Sequence, residues 1–483
     1  MRDFVLIYIN GKTHRIYGED VFQPLSTFLR LNLRLIGTKV VCAEGDCGAC
    51  TVLMGKKKGK TLRYVPINSC IKFIYQLDCS HIITVEGLKE EGNLHPVQQS
   101  MIDHFGSQCG YCTPGFVMAM AGMFEEKPAR LKSRDVREAL TGNLCRCTGY
   151  EPIIKATLAV NPNHVKTMGE RFPSDAFLKD FQKHSQNSIA IHYSEKGFDH
   201  SQDRLYFNPA TWQEALQLKK EHPTATVISG GTDISVQINK GRLFPQKVIS
   251  LSNLTALNHI EVKDNVLWIG AKTTWTQLEQ FTLKTLPEFH KIINVFASPQ
   301  IKHVGTLAGN IANGSPIADS LPFLFVADAE IELAETSGTR WVYINRFYHG
   351  YKQCDMKPQE LISRIRIPVP QPGQLLKLYK VSKRKDLDIS TFTAGFMLEI
   401  EKSRIKTIKV SYGGVAPIVL RLPKTEEFLK GKKAELAVFQ QAGKIARNEV
   451  TPISDVRASE EYRLQLSENV LVKLYHEIVA KSL

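Results

Sequence analysis

Apolar and polar positions alternate at the start of the chain, and residues 3–9 read as a strand. Asn10-Gly11 is a hairpin turn, because both positions tolerate positive φ, and Thr13–Tyr17 reads as the returning strand. Ser26 is placed to cap a helix running through Leu35. Strands are expected near 51–54, 61–66 and 82–85. From about residue 90 the period lengthens, and segments near 95–104, 114–125, 133–140 and 151–159 read as four short helices, with Pro114 and Ser133 suited to helix starts. Residues 161–200 are polar and lack a clear period, which reads as a linker. Between 204 and 370 strands at Thr226–Ser229, Val248–Leu251 and Val266–Ile269 alternate with helical stretches. Strands near 392–400 and 405–412 precede amphipathic helices near 432–448 and 460–481. The pattern predicts an α+β multidomain protein.

Cysteine spacing adds chemistry to this outline. Cys42, Cys47 and Cys50 form C-x4-C-x2-C, and Cys70 follows. This is the spacing of a plant-type 2Fe–2S ferredoxin (a β-grasp fold), in which a tight loop supplies three thiolates and a distant element the fourth. Gly45 and Gly48 let that loop curl around a cluster. Cys109 and Cys112 form C-x2-C, and Cys145 and Cys147 form C-x-C. Alone, this second quartet suits zinc as well as iron; beside a ferredoxin loop, a second 2Fe–2S cluster clamped between helix ends is expected. Cys79 and Cys354 stand outside both sets and read as structural thiols.

Charge changes the picture little. The net charge is +14, but basic residues are dispersed, and the run Lys56-Lys57-Lys58-Gly59-Lys60 reads as a solvated hairpin turn. No nucleic-acid-binding signature accompanies it, so no nucleic-acid partner is expected. Phe4–Ile9 is too short for a signal peptide, and no stretch reaches the roughly 18 apolar residues of a membrane span. A cytoplasmic protein with no membrane contact is expected, in keeping with thiolates that hold iron. No G-x-G occurs, so a Rossmann fingerprint is absent. Glycines cluster instead in Val227-Ile228-Ser229-Gly230-Gly231-Thr232-Asp233-Ile234, a strand followed by a tight turn. Successive N–H groups in such a turn can bind a pyrophosphate, though an ordinary strand-to-helix connection reads the same way.

The runs from Gln108 to Gly115 and from Gly142 to Tyr150 closely resemble the molybdenum hydroxylases, the xanthine dehydrogenase and aldehyde oxidase family. The resemblance implies a ferredoxin domain over 1–88, a four-helix 2Fe–2S bundle over 89–163, a linker over 164–200, a two-part α+β FAD-binding domain over 201–371 and a C-terminal α+β flavoprotein domain over 372–483. It implies FAD contacts from residues 227–234, from Thr306, Leu307, Ala308, Gly309 and Asn310, and from Phe296. It further implies that Asp319 meets the adenosine half, while Ile362 and Lys380 lie near the isoalloxazine end. In the loop Lys383–Ser390, Leu387 interrupts a pair of acids that is adjacent in relatives.

What the resemblance implies for function is an electron-transfer small subunit of a split, bacterial-type enzyme. Electrons from hypoxanthine or xanthine hydroxylation at molybdopterin on a large partner subunit would pass through both clusters to FAD and then to NAD+. A dimer of heterodimers is implied as well. No catalytic residue beyond those holding cofactors is expected on this chain. Oxidation of aldehydes or N-heterocycles by a related complex, and a stand-alone iron–sulfur flavoprotein, are the alternatives.

Overall fold

Val5, Leu6 and Ile7 are all fully buried, so the first strand is covered on both faces. Successive side chains point to opposite sides: Leu6 joins the apolar cluster of the helical bundle, and Val5 and Ile7 the cluster beneath Leu25, Phe28 and Leu29. The strand belongs to a five-stranded sheet in the order Lys12–Ile16, Val5–Ile9, Ser80–Ile83, Thr51–Lys58, Thr61–Asn68. Val5–Ile9 and Ser80–Ile83 run parallel, and the other neighbours are antiparallel. Lys57 to Lys60 are exposed where Thr51–Lys58 turns into Thr61–Asn68, while Lys56 is half-buried within the strand. The molecule is described by a computed structural model, which covers residues 1–128, 130–196 and 201–478.

The expected helix at 26–35 is shorter. It spans Leu25–Thr27 and widens into a π-type turn over Phe28–Asn32. Ser26 lies inside the turn, 2% exposed, and caps nothing; Pro24 sets the start.

Four helices follow at Pro96–Asp103, Thr113–Phe124, Ser133–Ala139 and Glu151–Ala159. Thr113–Phe124 is apolar nearly all round, which fits the centre of a bundle. The segment expected as a linker is ordered over much of its length. Met168–Arg171 and Asp175–Ser185 are helical, and Phe177 and Phe181 enter the same core as the bundle. One apolar stripe among many charges supplied too weak a period to be seen in the sequence. Ile189–Lys196 then begins a second sheet, ordered Ile189–Lys196, Ser201–Asn208, Lys247–Ser250, Thr226–Ile228. Residues 197–200 of the expected linker lie outside the described residues.

The chain divides into two compact units, Met1–Thr255 with Ser298–Gly305, and Ala256–Ala297 with Thr306–Leu483. The span 201–371, expected as a two-part FAD-binding domain, has residues in both units. The second unit contains a five-stranded antiparallel sheet, ordered Ile260–Lys263, Val266–Gly270, Leu361–Pro368, Glu330–Glu335, Gly338–Tyr343. Its other sheet runs Gln374–Val381, Phe392–Glu401, Arg404–Gly413, Leu420–Arg421. Helices Leu436–Asn448 and Glu460–Ile478 bury one face of that sheet through Phe439, Ala442, Leu471 and Leu474. The end of the last expected helix, 479–481, lies outside the described residues. No described helix is long and apolar enough to cross a membrane.

Candidate iron–sulfur and flavin sites

Both cysteine quartets fall in the first unit. Residues 42–50 form a loop without regular structure, turned by positive φ at Ala43 (55°), Gly45 (76°) and Gly48 (69°). The curl aims backbone N–H groups at sulfur: Glu44 and Cys47 donate to Cys42 Sγ at 3.4 and 3.5 Å. Cys70 arrives on the short turn Ser69–Ile71. The Cys42 thiol lies within hydrogen-bonding reach of Cys47 and Cys70, and Cys50 of Cys70. Those thiol contacts hold Cys42 well below the ordinary thiol range. Cys50 and Cys70 are buried, while Cys42 and Cys47 are half-buried. Three sulfurs from a glycine-turned loop and a fourth from the Ser69–Ile71 turn fit a 2Fe–2S cluster.

The second quartet meets in two pairs. Cys112 sits at the start of helix Thr113–Phe124 and contacts Cys145, while Cys147 contacts Cys109. Burial, then the Cys145 contact, pushes the Cys112 thiol up to about 12. The turn carrying Cys145 and Cys147 is held locally: Thr148 N–H donates to Cys145 Sγ at 3.4 Å, and Cys145 N–H donates to the Tyr150 hydroxyl at 3.1 Å. The donor set again fits a 2Fe–2S cluster. Cys109 and Cys147 are exposed, unlike the interior pair of the first quartet.

A seam joins the two cysteine loops. The Leu144 N–H donates to the Cys47 carbonyl at 3.0 Å, and Asn143 Nδ2 donates to the Gly48 carbonyl at 3.1 Å. Gln300 Nε2 donates to Asn143 Oδ1 at 2.8 Å, with Gln300 and Asn143 0% and 2% exposed. Asn239 Nδ2 reaches the carbonyls of Ala43 and Cys70 at 2.9 and 2.8 Å. Sequence reasoning singled out none of these three amides for a role. Asn143 fell inside a recognised motif, but Asn239 and Gln300 lie 196 and 157 residues from partners they hold.

The glycine turn at 229–233 also lies in the first unit. Lys72 Nζ and Gln76 Nε2 donate to the Gly230 carbonyl at 3.3 and 3.2 Å. Because the peptide is planar and trans, the Gly231 N–H points the opposite way. A methyl group on Gly230 would lie 2.2 Å from the Val304 carbonyl oxygen, and Gly231 has φ +77°. The backbone shape suits a phosphate-binding turn. Within the run, Ile228 is fully buried and serves the core.

The remaining expected flavin residues belong to the second unit. Thr306 caps the helix Leu307–Asn313 by accepting the Gly309 N–H at 3.0 Å. Asn310 Oδ1 accepts the Ser320 hydroxyl at 2.6 Å. Leu307, Ala308 and Ile362 are core residues, and Phe296 packs against that core with its ring 4.7 Å from Trp275. Asp319 and Lys380, expected toward opposite ends of FAD, form one ion pair at 2.5 Å. Lys380 Nζ also donates to the Asp388 carbonyl and to Ser390 Oγ at 2.9 and 2.8 Å. Its three N–H groups are thus engaged within the chain, and Ser390 Oγ donates to Asp319 Oδ1 at 2.5 Å. The two side chains act at one place.

Comparison with known proteins finds three family models along the chain. Residues 84–158 match a [2Fe-2S] binding domain, residues 197–370 an FAD binding domain in molybdopterin dehydrogenase, and residues 377–478 a CO dehydrogenase flavoprotein C-terminal domain. Xanthine dehydrogenase 1 of Arabidopsis thaliana is 30% identical over 97% of this chain and 39% of its own length. Aldehyde oxidase 1 of Bos taurus is 27% identical over 98% of this chain and 39% of its own. The chain thus spans about two fifths of the curated relatives it matches. The structure of reconstituted CO dehydrogenase from Oligotropha carboxidovorans is similar with a TM-score of 0.53 and 26% identity, covering 56% of this chain and 94% of that one. Quinoline 2-oxidoreductase from Pseudomonas putida 86 shares the fold at a TM-score of 0.53 and 23% identity, covering the same shares.

Proposed function

The chain belongs to the molybdenum hydroxylase family, as an electron-transfer portion with iron–sulfur and FAD domains, and on that premise we propose that it serves a xanthine dehydrogenase. In this reading a large partner carries molybdopterin and hydroxylates hypoxanthine or xanthine. The observation that carries the reading is the set of thiol–thiol contacts within each of two cysteine quartets on one unit. The similarity to xanthine dehydrogenases over nearly the whole chain supports the substrate class.

Cys42, Cys47, Cys50 and Cys70 would hold one 2Fe–2S cluster, and Cys109, Cys112, Cys145 and Cys147 the other. Residues 229–233 and 306–310 would offer backbone N–H groups to FAD. When bound, clusters pass single electrons and the flavin converts them to the two-electron hydride chemistry of NAD+. The chain's own contribution is to position these groups. Thr306, as a helix cap, holds the 306–310 backbone in one conformation, and Lys72 and Gln76 do the same for the Gly230 peptide. The glycines keep side chains out of the turn. A cytoplasmic dimer of heterodimers completes the proposal.

A second reading is supported by the match to aldehyde oxidase over 98% of the chain. It keeps the same electron path and changes the partner's substrate to an aldehyde or N-heterocycle. Affinity isolation from the native host, with metal and flavin analysis, tests the proposal. Molybdenum, iron and FAD with a large co-purifying chain, together with xanthine-dependent NADH formation, are expected. Turnover of aldehydes without turnover of xanthine would select the second reading. Iron and FAD with no molybdenum partner would reject both.

A further inference from the structure

We infer that the loop of the first cysteine quartet is the template on which the second quartet is assembled, with Asn143 and Gln300 as positioning residues for the second site. The inference rests on the cluster assignment proposed above and goes beyond it by giving the two sites an order.

The dependence is built into the stretch Cys47-Gly48-Ala49, and its centre is the Gly48 peptide. Both halves of the second quartet are registered against that peptide. The half carrying Cys145 and Cys147 is tied by Leu144 N–H to the Cys47 carbonyl, and by Asn143 Nδ2 to the Gly48 carbonyl. The half carrying Cys109 and Cys112 meets it where helix Thr113–Phe124 begins: a methyl group on Gly115 would lie 2.2 Å from the Gly48 carbonyl oxygen. Gly142 is equally close-packed, with room for no methyl group against Gln300. The two halves are separated by more than thirty residues of chain. Cys109 and Cys147 are exposed, so burial does little to bring that pair together.

The first quartet also has supports that do not pass through this seam. The first quartet draws its shape from its own glycine turns, from Asn239 and from the buried Cys50–Cys70 pair. Asn143 and Gln300 are buried amides whose replacement by apolar groups removes hydrogen bonds without adding charge. Loading a site exchanges four thiol protons for four bonds from sulfur to a cluster of two ferric ions and two sulfides, with no net redox change.

Anaerobic reconstitution of the full-length chain with ferric iron and sulfide tests the order. The two clusters are distinguished by electron paramagnetic resonance after dithionite reduction. In Asn143→Ala and Gln300→Leu, second-site iron should be lost to a chelator at least about tenfold faster than in the unaltered chain, tenfold being the scale of a single net buried hydrogen bond. First-site retention should not change. Cys42→Ser should impair loading of the second site, whereas Cys147→Ser should leave the first site full. Unchanged far-ultraviolet circular dichroism separates these effects from misfolding. Equal retention at both sites in Asn143→Ala and Gln300→Leu, or full second-site loading in Cys42→Ser, would overturn the inference and leave the cluster assignment standing. Failure of the unaltered chain to take up iron at either quartet would overturn both.

Discussion

Lys380 Nζ lies 2.5 Å from an Asp319 carboxylate oxygen, and each side chain is 6% exposed. Ser390 bridges the two, donating to Asp319 and accepting from Lys380. A buried pair of this kind is costly to break from one side, because the remaining charge keeps its desolvation penalty and loses its partner. Lys380→Met is expected to destabilise the protein by about 3–5 kcal/mol. The double variant Lys380→Met with Asp319→Leu should recover much of that loss. Chemical denaturation followed by tryptophan fluorescence measures both. Equal stability of the single and double variants would show that the pair is not coupled in this way.

Three histidines, His81 and His95 buried and His303 half-buried, give the protein an acid limit. His81, His95 and His303 are each lowered from 6.5 to about 4, chiefly by burial. His81 Nε2 accepts the Gly11 N–H at 3.0 Å, so protonation there also breaks a hydrogen bond. Between these values the unfolded chain binds protons that the folded chain does not, and stability therefore falls as pH drops from about 6.5 toward 4. Denaturation midpoints should decline across that window. His81→Gln should reduce the slope by about one proton if His81 contributes as described.

Glu125 acts with the opposite sign. Burial raises its carboxyl from 4.5 to about 7, against the opposing hydrogen bond from the Met168 N–H. The folded chain then holds a proton that the unfolded chain has released, so stability falls as pH rises from about 4.5 to 7. Glu125→Gln keeps an acceptor for Met168 and removes the titration. Its unfolding midpoint should rise relative to the parent at pH 7.5 and converge with it near pH 4. A constant difference across that range would assign the effect to packing.

How much of this was legible in the sequence depended on the range of each interaction. Cys42, Cys47 and Cys50 shape their own loop, so spacing alone located them. Strands at 392–401 and 404–413, the first rich in apolar residues and the second alternating apolar with polar ones, were found within a residue or so of expectation. Phe177 and Phe181 were hidden because their helix is otherwise polar, and only the core they enter explains them. Asp319 and Lys380 were each noticed for chemistry, but their pairing is a tertiary fact separated by 61 positions. Gln300 carried no local signal at all. Its role comes from being buried against Asn143.

The Gly231 backbone offers a test of the flavin turn. Its φ of +77° disfavours any side chain, and a methyl group would lie 2.2 Å from Gln76 Nε2. Gly231→Trp is expected to lower the FAD content of the purified protein strongly while leaving iron in place. Absorbance at flavin wavelengths after denaturation measures the content. Full flavin retention would remove residues 229–233 from the proposed cofactor contacts.

Gly48 and Gly59 separate crowding from backbone strain. Both have left-handed backbones, at φ +69° and +63°. Alanine at either position meets the same intrinsic penalty, about 1–2 kcal/mol for an L-residue in that region. Their surroundings differ. A methyl group on Gly48 would lie 2.1 Å from the Gly142 carbonyl oxygen and 2.6 Å from Asn143 Nδ2, whereas one on Gly59 meets nothing within 4 Å. The nearest obstacle at Gly48 is backbone, which cannot swing aside as a side chain would. Gly48→Ala must therefore displace the Gly142–Asn143 turn or its own loop, and either movement disturbs cysteines. Iron analysis of Gly48→Ala should show a marked loss, with Gly59→Ala near the full content and only modestly less stable. Similar iron in the two variants would mean that the contact at Gly48 is not what holds the cysteine loops in place, and that strain common to both turns accounts for whatever loss is seen.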